Sequence, residues 1–345
     1  MSRWAIILAG GVGSRFWPLS TPARPKQLLP LVTDSPLLAD TLARLAPLVP
    51  AERTLVITNA SLAPAVAALL PSLPPENIIA EPRSAGTAPA LTWAALEVAR
   101  RDGSNATMIC VHADWAIGDA DGFRKALDAA ATLAESSGSL VTVGVVPARP
   151  DPGFGYIRAA EEARGGARRV AKFIEKPDRA TAEALVAEGC LWNSGIFVWG
   201  AGDFLTEVRL HCPEVTKALP HADPDEIAAF FEACTPISVD HGVLERSRRV
   251  LVLPGDFGWD DVGTWAALHR VRALDAAGNA IAGDVHLLDA RENVVHAEGQ
   301  TVVAYGVEGL VIVARDGVTL VTTRDRAADL KTLLDALPPE VRDRA

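Results

Sequence analysis

An apolar run from Trp4 to Ala9 ends in three glycines within four residues, Gly10, Gly11 and Gly13, and Arg15 and Lys26 follow. A strand that empties into such a loop leaves backbone N–H groups able to face an anion, with no Cβ to block its approach. Two fixed cations beside that loop suit a nucleoside triphosphate. Carboxylates that could complement it lie far along the chain. Asp114 follows the apolar run Met108–Val111, and Asp260-Asp261 sits in Gly258-Trp259-Asp260-Asp261-Val262-Gly263. An aspartate at a strand end is commonly a cap or turn residue. Two such sites beside apolar elements also make the oxygen-rich, water-retaining shell that Mg²⁺ prefers. A third group is Glu175-Lys176, which a preceding strand and the following Pro177 can turn into one cleft. Asn193-Ser194-Gly195 reads as a hairpin or turn before an apolar strand. Ser194 has no G-x-S-x-G context and is not read as a nucleophile.

Two better-known glycine loops fail on these residues. A dinucleotide fingerprint counted from Gly11 would need glycine where Phe16 stands, which removes a Rossmann oxidoreductase. A P-loop needs Gly-Lys-Ser/Thr, and Gly13 is followed by Ser14-Arg15. The whole string from Leu8 to Gln27, with Phe16-Trp17-Pro18-Leu19-Ser20 and Pro25-Lys26 inside it, resembles the signature of sugar-1-phosphate nucleotidyltransferases. Gln27 after Pro-Lys and Ser20 look like the mannose-1-phosphate guanylyltransferase branch. Further pieces, from Glu81-Pro82 to Gly258–Gly263, extend the resemblance to about Trp265.

The resemblance implies a role for each matching residue. Leu8, Ala9, Gly10, Gly11, Gly13, Ser14, Arg15 and Lys26 would bind the nucleotide, with Gly86-Thr87-Ala88 near the base and ribose. Gly155, in Gly153-Phe154-Gly155-Tyr156-Ile157, would leave room for a hexose. Glu175 would accept bonds from sugar hydroxyls, Lys176 would meet the sugar phosphate, and Asn193 and Gly195 belong to the matching sugar motif. Asp114 and Asp261 would hold Mg²⁺, with Asp261 also counted at the substrate and Asp260 its competitor. The implied reaction joins GTP and mannose 1-phosphate into GDP-mannose and pyrophosphate, with Arg15, Lys26, Asp114 and Asp261 carrying it. Another sugar phosphate (heptose or glucose), or a silent GDP-sugar sensor, remain the alternatives. The chain departs from the family pattern at His112-Ala113-Asp114-Trp115 and at Ser84-Ala85 before Gly86. Both departures bear on base and acceptor selectivity more than on the reaction class.

The elements that must position these groups alternate. Strands at Leu55–Ile57, Ile78–Ala80, Met108–Val111 and Val141–Val146 are separated by helical patterns at Leu62–Leu70, Ala88–Arg101 and Phe123–Leu133. That order predicts an α/β fold, a Rossmann-like, mainly parallel sheet flanked by helices, with ligands at the strand carboxyl ends. A looser stretch follows, with strands Tyr156–Arg158, Val170–Ile174 and Ile196–Trp199 and helices near 180–188, 203–210 and 225–233. Trp265–Leu274 reads as a last helix. From Ala280, brief Val- and Thr-rich segments broken by glycines predict a small β-rich appendage with a helix near Arg326–Leu337. The resemblance implies a short β-helix there, often used in dimerisation, so a homodimer is expected; an irregular β-subdomain fits the residues equally well. The expected division is a transferase domain over 1–275, halved near 150, and an appendage over 276–345. About 80 residues follow Trp265, too few for a second catalytic domain.

Composition sets the outer limits. With 345 residues, 49% hydrophobic and 22% charged, the chain has the make-up of a globular protein. A net charge of −10 argues against nucleic acid as a partner and requires any phosphate ligand to meet local cations or a metal. The four cysteines form no C-x-x-C pair, which fits a reducing cytoplasm. The first apolar run is too short for a signal peptide, and none reaches membrane-spanning length.

Overall fold

The computed structural model describes residues 1–11 and 14–342. Their contacts form two compact units, neither a continuous stretch of chain. One holds residues 1–10, 42–112 and 119–259; the other holds 11–41, 113–118 and 260 onward.

The first unit is built on nine strands: β1 (Arg3–Leu8), β2 (Thr54–Asn59), β3 (Ile78–Glu81), β4 (Thr107–His112), β5 (Leu140–Val145), β6 (Tyr156–Arg164), β7 (Ala167–Ile174), β8 (Leu191–Gly200) and β9 (Val250–Gly255). They lie in one sheet, in the order β3-β2-β1-β4-β8-β5-β9-β7-β6. β1 pairs in parallel with β2 and β4, and β2 with β3. Helices Ala63–Leu69, Thr87–Asp102 and Ala120–Ser137 supply the crossovers. Strands buried on both faces need no polar alternation, which is why β1, β2 and β5 bury consecutive residues. Parallel strands end on one side, so Ala9-Gly10, Glu81 and His112 follow or finish neighbouring strands at the same edge of the sheet.

The sheet is less uniformly parallel than the first half of the sequence suggests. β8 runs antiparallel between β4 and β5, while β5 and β9 are parallel. β6 and β7 form an antiparallel ribbon on the far edge. Asn193-Ser194-Gly195 is thus no hairpin. The register with β5 steps from Val143↔Ile196 to Gly144↔Asn193, so Ser194 and Gly195 bulge out of the ladder. Buried Ser194 Oγ donates to the Val143 carbonyl at 2.5 Å and accepts from Ile196 N at 3.1 Å. A bulge re-aims the side chains beside it, and here the neighbour is Asn193.

The second unit has its own core, in which Phe16, Trp17, Leu29 and Leu31 pack with Val262, Trp265, Val294 and Val311. Trp265 Nε1 donates to the Trp17 carbonyl at 3.0 Å, which ties the chain after the glycine loop to the segment after Asp261. The expected helix 265–274 is a 3₁₀ turn, Trp265–Ala267, continued by Leu268–Val271. It stops at extended Arg272, whose side chain is bonded elsewhere.

Beyond it the appendage forms parallel coils. β10 (Ala280–Ala282), β12 (Val294–Glu298) and β14 (Leu310–Arg315) stack in parallel, as do β11 (Val285–Leu288) and β13 (Val302–Tyr305). β15 (Val318–Thr323) closes the first stack antiparallel to β14. This is a short β-helix, and an asparagine ladder marks its corners. Asn279 Oδ1 accepts from Asn293 N and Nδ2, and Asn293 Oδ1 accepts from Leu310 N at 2.9 Å. The expected helix 326–337 splits into Arg326–Ala328 and Leu330–Ala336 around Asp329, which accepts from Thr332 Oγ1.

Candidate active site

The second unit brings together Lys26, Asp114, Asp261 and Arg15. Pro25 precedes a 3₁₀ turn over Lys26–Leu28 that buries both Lys26 and Gln27. Lys26 Nζ donates to Asp114 Oδ2 at 3.0 Å and to the Asp261 backbone carbonyl at 2.5 Å. An ammonium has three donors, and the protein engages two of them at the carboxylate-bearing segments. Gln27 Nε2 donates to the Gly11 carbonyl at 3.2 Å, so its amide holds the backbone of the glycine loop. Gly11 itself takes φ +99°, a backbone shape that glycine adopts freely.

Asp261 is held in a strained turn. Val262 has φ +47°, an outlier for a β-branched residue. Val262 N donates to Asp260 Oδ1 at 2.9 Å and its side chain is fully buried, which together fix the conformation. A Cβ on Gly263 would lie 2.7 Å from Asp261 Oδ2 and 3.4 Å from Arg15 Nη1. A side chain there would crowd that carboxylate and the guanidinium. Burial raises the Asp261 pKa; Lys26 and Arg15 oppose the rise, while Asp260 and Asp114 add to it. Asp260 is engaged elsewhere, accepting Nε of Arg270 at 2.9 Å on one oxygen and Nη2 at 3.1 Å on the other.

That donor set fits a magnesium ion. Mg²⁺ takes one or two carboxylates and fills its remaining positions with water and substrate phosphates. Asp114 and Asp261 would supply the two, and a buried carboxylate with like charges for neighbours favours a cation. No cluster of three or more metal-ligating side chains occurs among the described residues.

In the first unit Gly155, Glu175 and Asn193 converge. A Cβ on Gly155 would stand 2.7 Å from Glu175 Oε2 and 3.5 Å from Asn193 Cβ. Asn193 N donates to the Gly155 carbonyl at 2.8 Å. Lys176, at φ +41°, turns the chain after Glu175 and keeps its ammonium 3.5 Å from Glu175 Oε1, both side chains exposed. Gly195, at φ +75°, forms the bulge beside Asn193. Asp240 joins this cluster without a signal in the motifs: Asn193 Nδ2 donates to its Oδ1 at 2.8 Å. Burial raises the Asp240 pKa, the Asn193 bond opposes it and the Glu175 charge adds to it.

At the end of β1, Ala9 N donates to the Ile57 carbonyl, and Thr58 Oγ1 donates to the Ala9 carbonyl at 3.1 Å. A Cβ on Gly10 would lie 3.8 Å from Glu81 Oε2, and burial pushes the Glu81 carboxyl up to about 7. Gly86 has φ +86°, and a Cβ there would sit 2.4 Å from the Ile237 carbonyl oxygen. Ala88 N donates to that carbonyl, and Val239 N donates to Thr87 Oγ1 at 2.9 Å. Gly86-Thr87-Ala88 is therefore clamped to the segment that leads into Asp240. Gly13 lies outside the described residues; Ser14 begins a 3₁₀ turn.

A glycine loop followed by a lysine that bonds two aspartate-bearing segments is the chemistry of a nucleotide-handling transferase. The nucleotidyl transferase family pattern matches residues 4–278, and the chain belongs to that family. It is similar to mannose-1-phosphate guanylyltransferase of Escherichia coli K12, 39% identical over 357 residues that cover 98% of this chain and 74% of that one. The alginate biosynthesis protein AlgA of Pseudomonas aeruginosa PAO1 is 36% identical, over 98% of this chain and 72% of its own. A crystal structure described as a mannose-1-phosphate geranyltransferase from Thermus thermophilus matches at a TM-score of 0.90 and 35% identity. It covers 97% of this chain and 99% of its own.

Proposed function

We propose that this nucleotidyltransferase makes GDP-mannose. A phosphate oxygen of α-D-mannose 1-phosphate attacks the α-phosphorus of GTP, the bond from that phosphorus to the β-phosphate bridging oxygen breaks, and pyrophosphate departs in line. The attacking phosphate is already ionised at neutral pH, so no general base is required. The Ser194 hydroxyl donates to the Val143 carbonyl. What remains is positioning and charge neutralisation. Arg15 offsets charge on the departing pyrophosphate, and Lys26 holds the glycine loop's triphosphate end while fixing Asp114 and Asp261. Glu175 and Asn193 receive the sugar, with Lys176 on its phosphate. When bound by Asp114 and Asp261, Mg²⁺ would neutralise phosphate oxygens.

The observation that carries the reading is the Lys26 ammonium bonded to both aspartate-bearing segments. With it go a division of labour near residues 1–150, 151–275 and 276–345, a homodimer and a cytoplasmic location. No helix among the described residues is long and apolar enough to cross a membrane. The test is pyrophosphate release with GTP, ATP, UTP and dTTP against mannose, glucose and heptose 1-phosphates. GTP with mannose 1-phosphate should turn over fastest, EDTA should stop it and Mg²⁺ restore it. A faster pair, or GDP-mannose binding without pyrophosphate release, would replace the reading.

A further inference from the structure

A cavity of about 720 Å³ opens in the second unit, and none of the residues assigned to transfer lines it. Its wall combines Arg24, Arg272, His296 and Glu298 with apolar Val32 and Ile281. That volume falls in the range of small-molecule sites and is many times that of a bare anion.

Arg272 is the unusual member. Its Nε donates to the Leu31 carbonyl at 2.6 Å, its Nη2 donates to His296 Nδ1 at 3.0 Å, and its Nη1 is buried with no partner. No carboxylate pairs with it among the described residues. Burial lowers the guanidinium pKa only to about 10, so Arg272 stays charged at neutral pH. His296, buried and next to Arg272 and Arg24, is driven down to about 3 and is neutral, so both protein partners of Arg272 are uncharged. A largely desolvated cation held only by neutral acceptors is costly, and an anion removes that cost.

The other charges on the wall leave Arg272 uncompensated. Glu298 Oε1 is shared by Arg24 Nη1 at 2.7 Å and Arg315 Nε at 3.5 Å. Asp34, the second acid on the wall, forms no ion pair with Arg272. A guanidinium carries five N–H donors, and Arg272 commits two of them to Leu31 and His296.

We propose that this cavity binds a small organic phosphate at a site separate from the transfer chemistry, its phosphate against Arg272 and Arg24 and its body over Val32 and Ile281. Titration calorimetry of glycerol 3-phosphate into the nucleotide-free protein tests this, with glycerol and malonate as the uncharged and carboxylate arms. Saturable binding of one equivalent is expected, absent for glycerol and at least tenfold weaker for malonate. Arg272→Met should weaken it tenfold or more and Arg24→Gln threefold or more, while Arg15→Ala leaves it unchanged. Circular dichroism checks each variant, and Arg24→Gln decides alone if Arg272→Met is unfolded. No saturable binding, equal affinity for malonate, or binding lost in Arg15→Ala but kept in Arg272→Met would overturn the proposal.

Discussion

The cluster around Lys26 and the cluster around Asn193 handle their buried charge differently. In the second unit a buried ammonium meets Asp114 at 3.0 Å, and Arg15 stands by Asp261, so charge is answered by charge. In the first unit Asp240 is answered by the neutral amide of Asn193, and burial raises the pKa of Asp240 and of Glu81. Paired charges suit a polyanion whose charge must be balanced. Neutral hydrogen-bonding groups suit hydroxyls, which need direction more than charge. Both units nevertheless use the same backbone device, a non-glycine residue at positive φ beside the key carboxylate: Val262 after Asp261 and Lys176 after Glu175. Such strain persists only where its surroundings over-determine it.

The largest effect should come from Lys26→Met, which leaves Asp114 without its buried cation. Asp114 is partly exposed, and a hydrogen bond to a charged group contributes about 1.5–3 kcal/mol, so denaturant unfolding should show a loss of that size along with lost turnover. A midpoint within experimental error of the wild type would mean that the pair is not structural. Arg15→Ala, whose side chain is exposed, should fold normally and lose about 3–4 kcal/mol of transition-state stabilisation, roughly 10²–10³ in turnover. Near-wild-type pyrophosphate release there removes Arg15 from the chemistry.

Next comes pH. The Glu81 carboxyl is raised from 4.5 to about 7 on folding, so the native state binds more protons than the unfolded one across that window. Stability contributed by its protonated form is present at low pH and is lost as pH rises from 4.5 towards 7. At about 1.4 kcal/mol per unit the loss is roughly 2–3 kcal/mol. Glu81→Gln should flatten the decline between those pH values, and an unchanged stability–pH curve would show that this carboxyl does not drive it. Asn193→Ala should be smallest, about 1–2 kcal/mol for the unmade bond to Asp240, read in the unfolding midpoint, with a comparable loss of affinity for the sugar phosphate.

How far these features could be read beforehand depended on the range of the interactions behind them. Most strands from Arg3 to Val145, with the helices Ala63–Leu69, Thr87–Asp102 and Ala120–Ser137, follow from local apolar runs and glycine or proline stops, whereas the helix Leu37–Leu45 and the short strand Ala116–Ile117 carry no such signal. The insertion of β8 antiparallel between β4 and β5 was not visible, because pairing is decided by partners far away in the chain. The same holds for β9, which lies over a hundred residues from its partner β5. Ser194-Gly195 looked like a turn since a bulge uses the same residues. Lys26, Asp114, Asp261, Glu175 and Asn193 carried motif signals; Asp240 did not, and an aspartate after a β-branched residue has none to give. The asparagine ladder had one, Asn279 and Asn293 each opening a coil, but a repeat of two is too short to stand out. Arg272 and His296 were silent, their meaning arising only where the coils meet the segment near Leu31.

The contrast between the two clusters is tested most directly by steady-state pyrophosphate release in Asn193→Ala, with GTP and mannose 1-phosphate varied separately. The expected result is a KM for mannose 1-phosphate raised about tenfold, as 1.4 kcal/mol implies, with the KM for GTP unchanged. A raised KM for GTP with mannose 1-phosphate unaffected would contradict the assignment of the sugar to the Asn193 cluster.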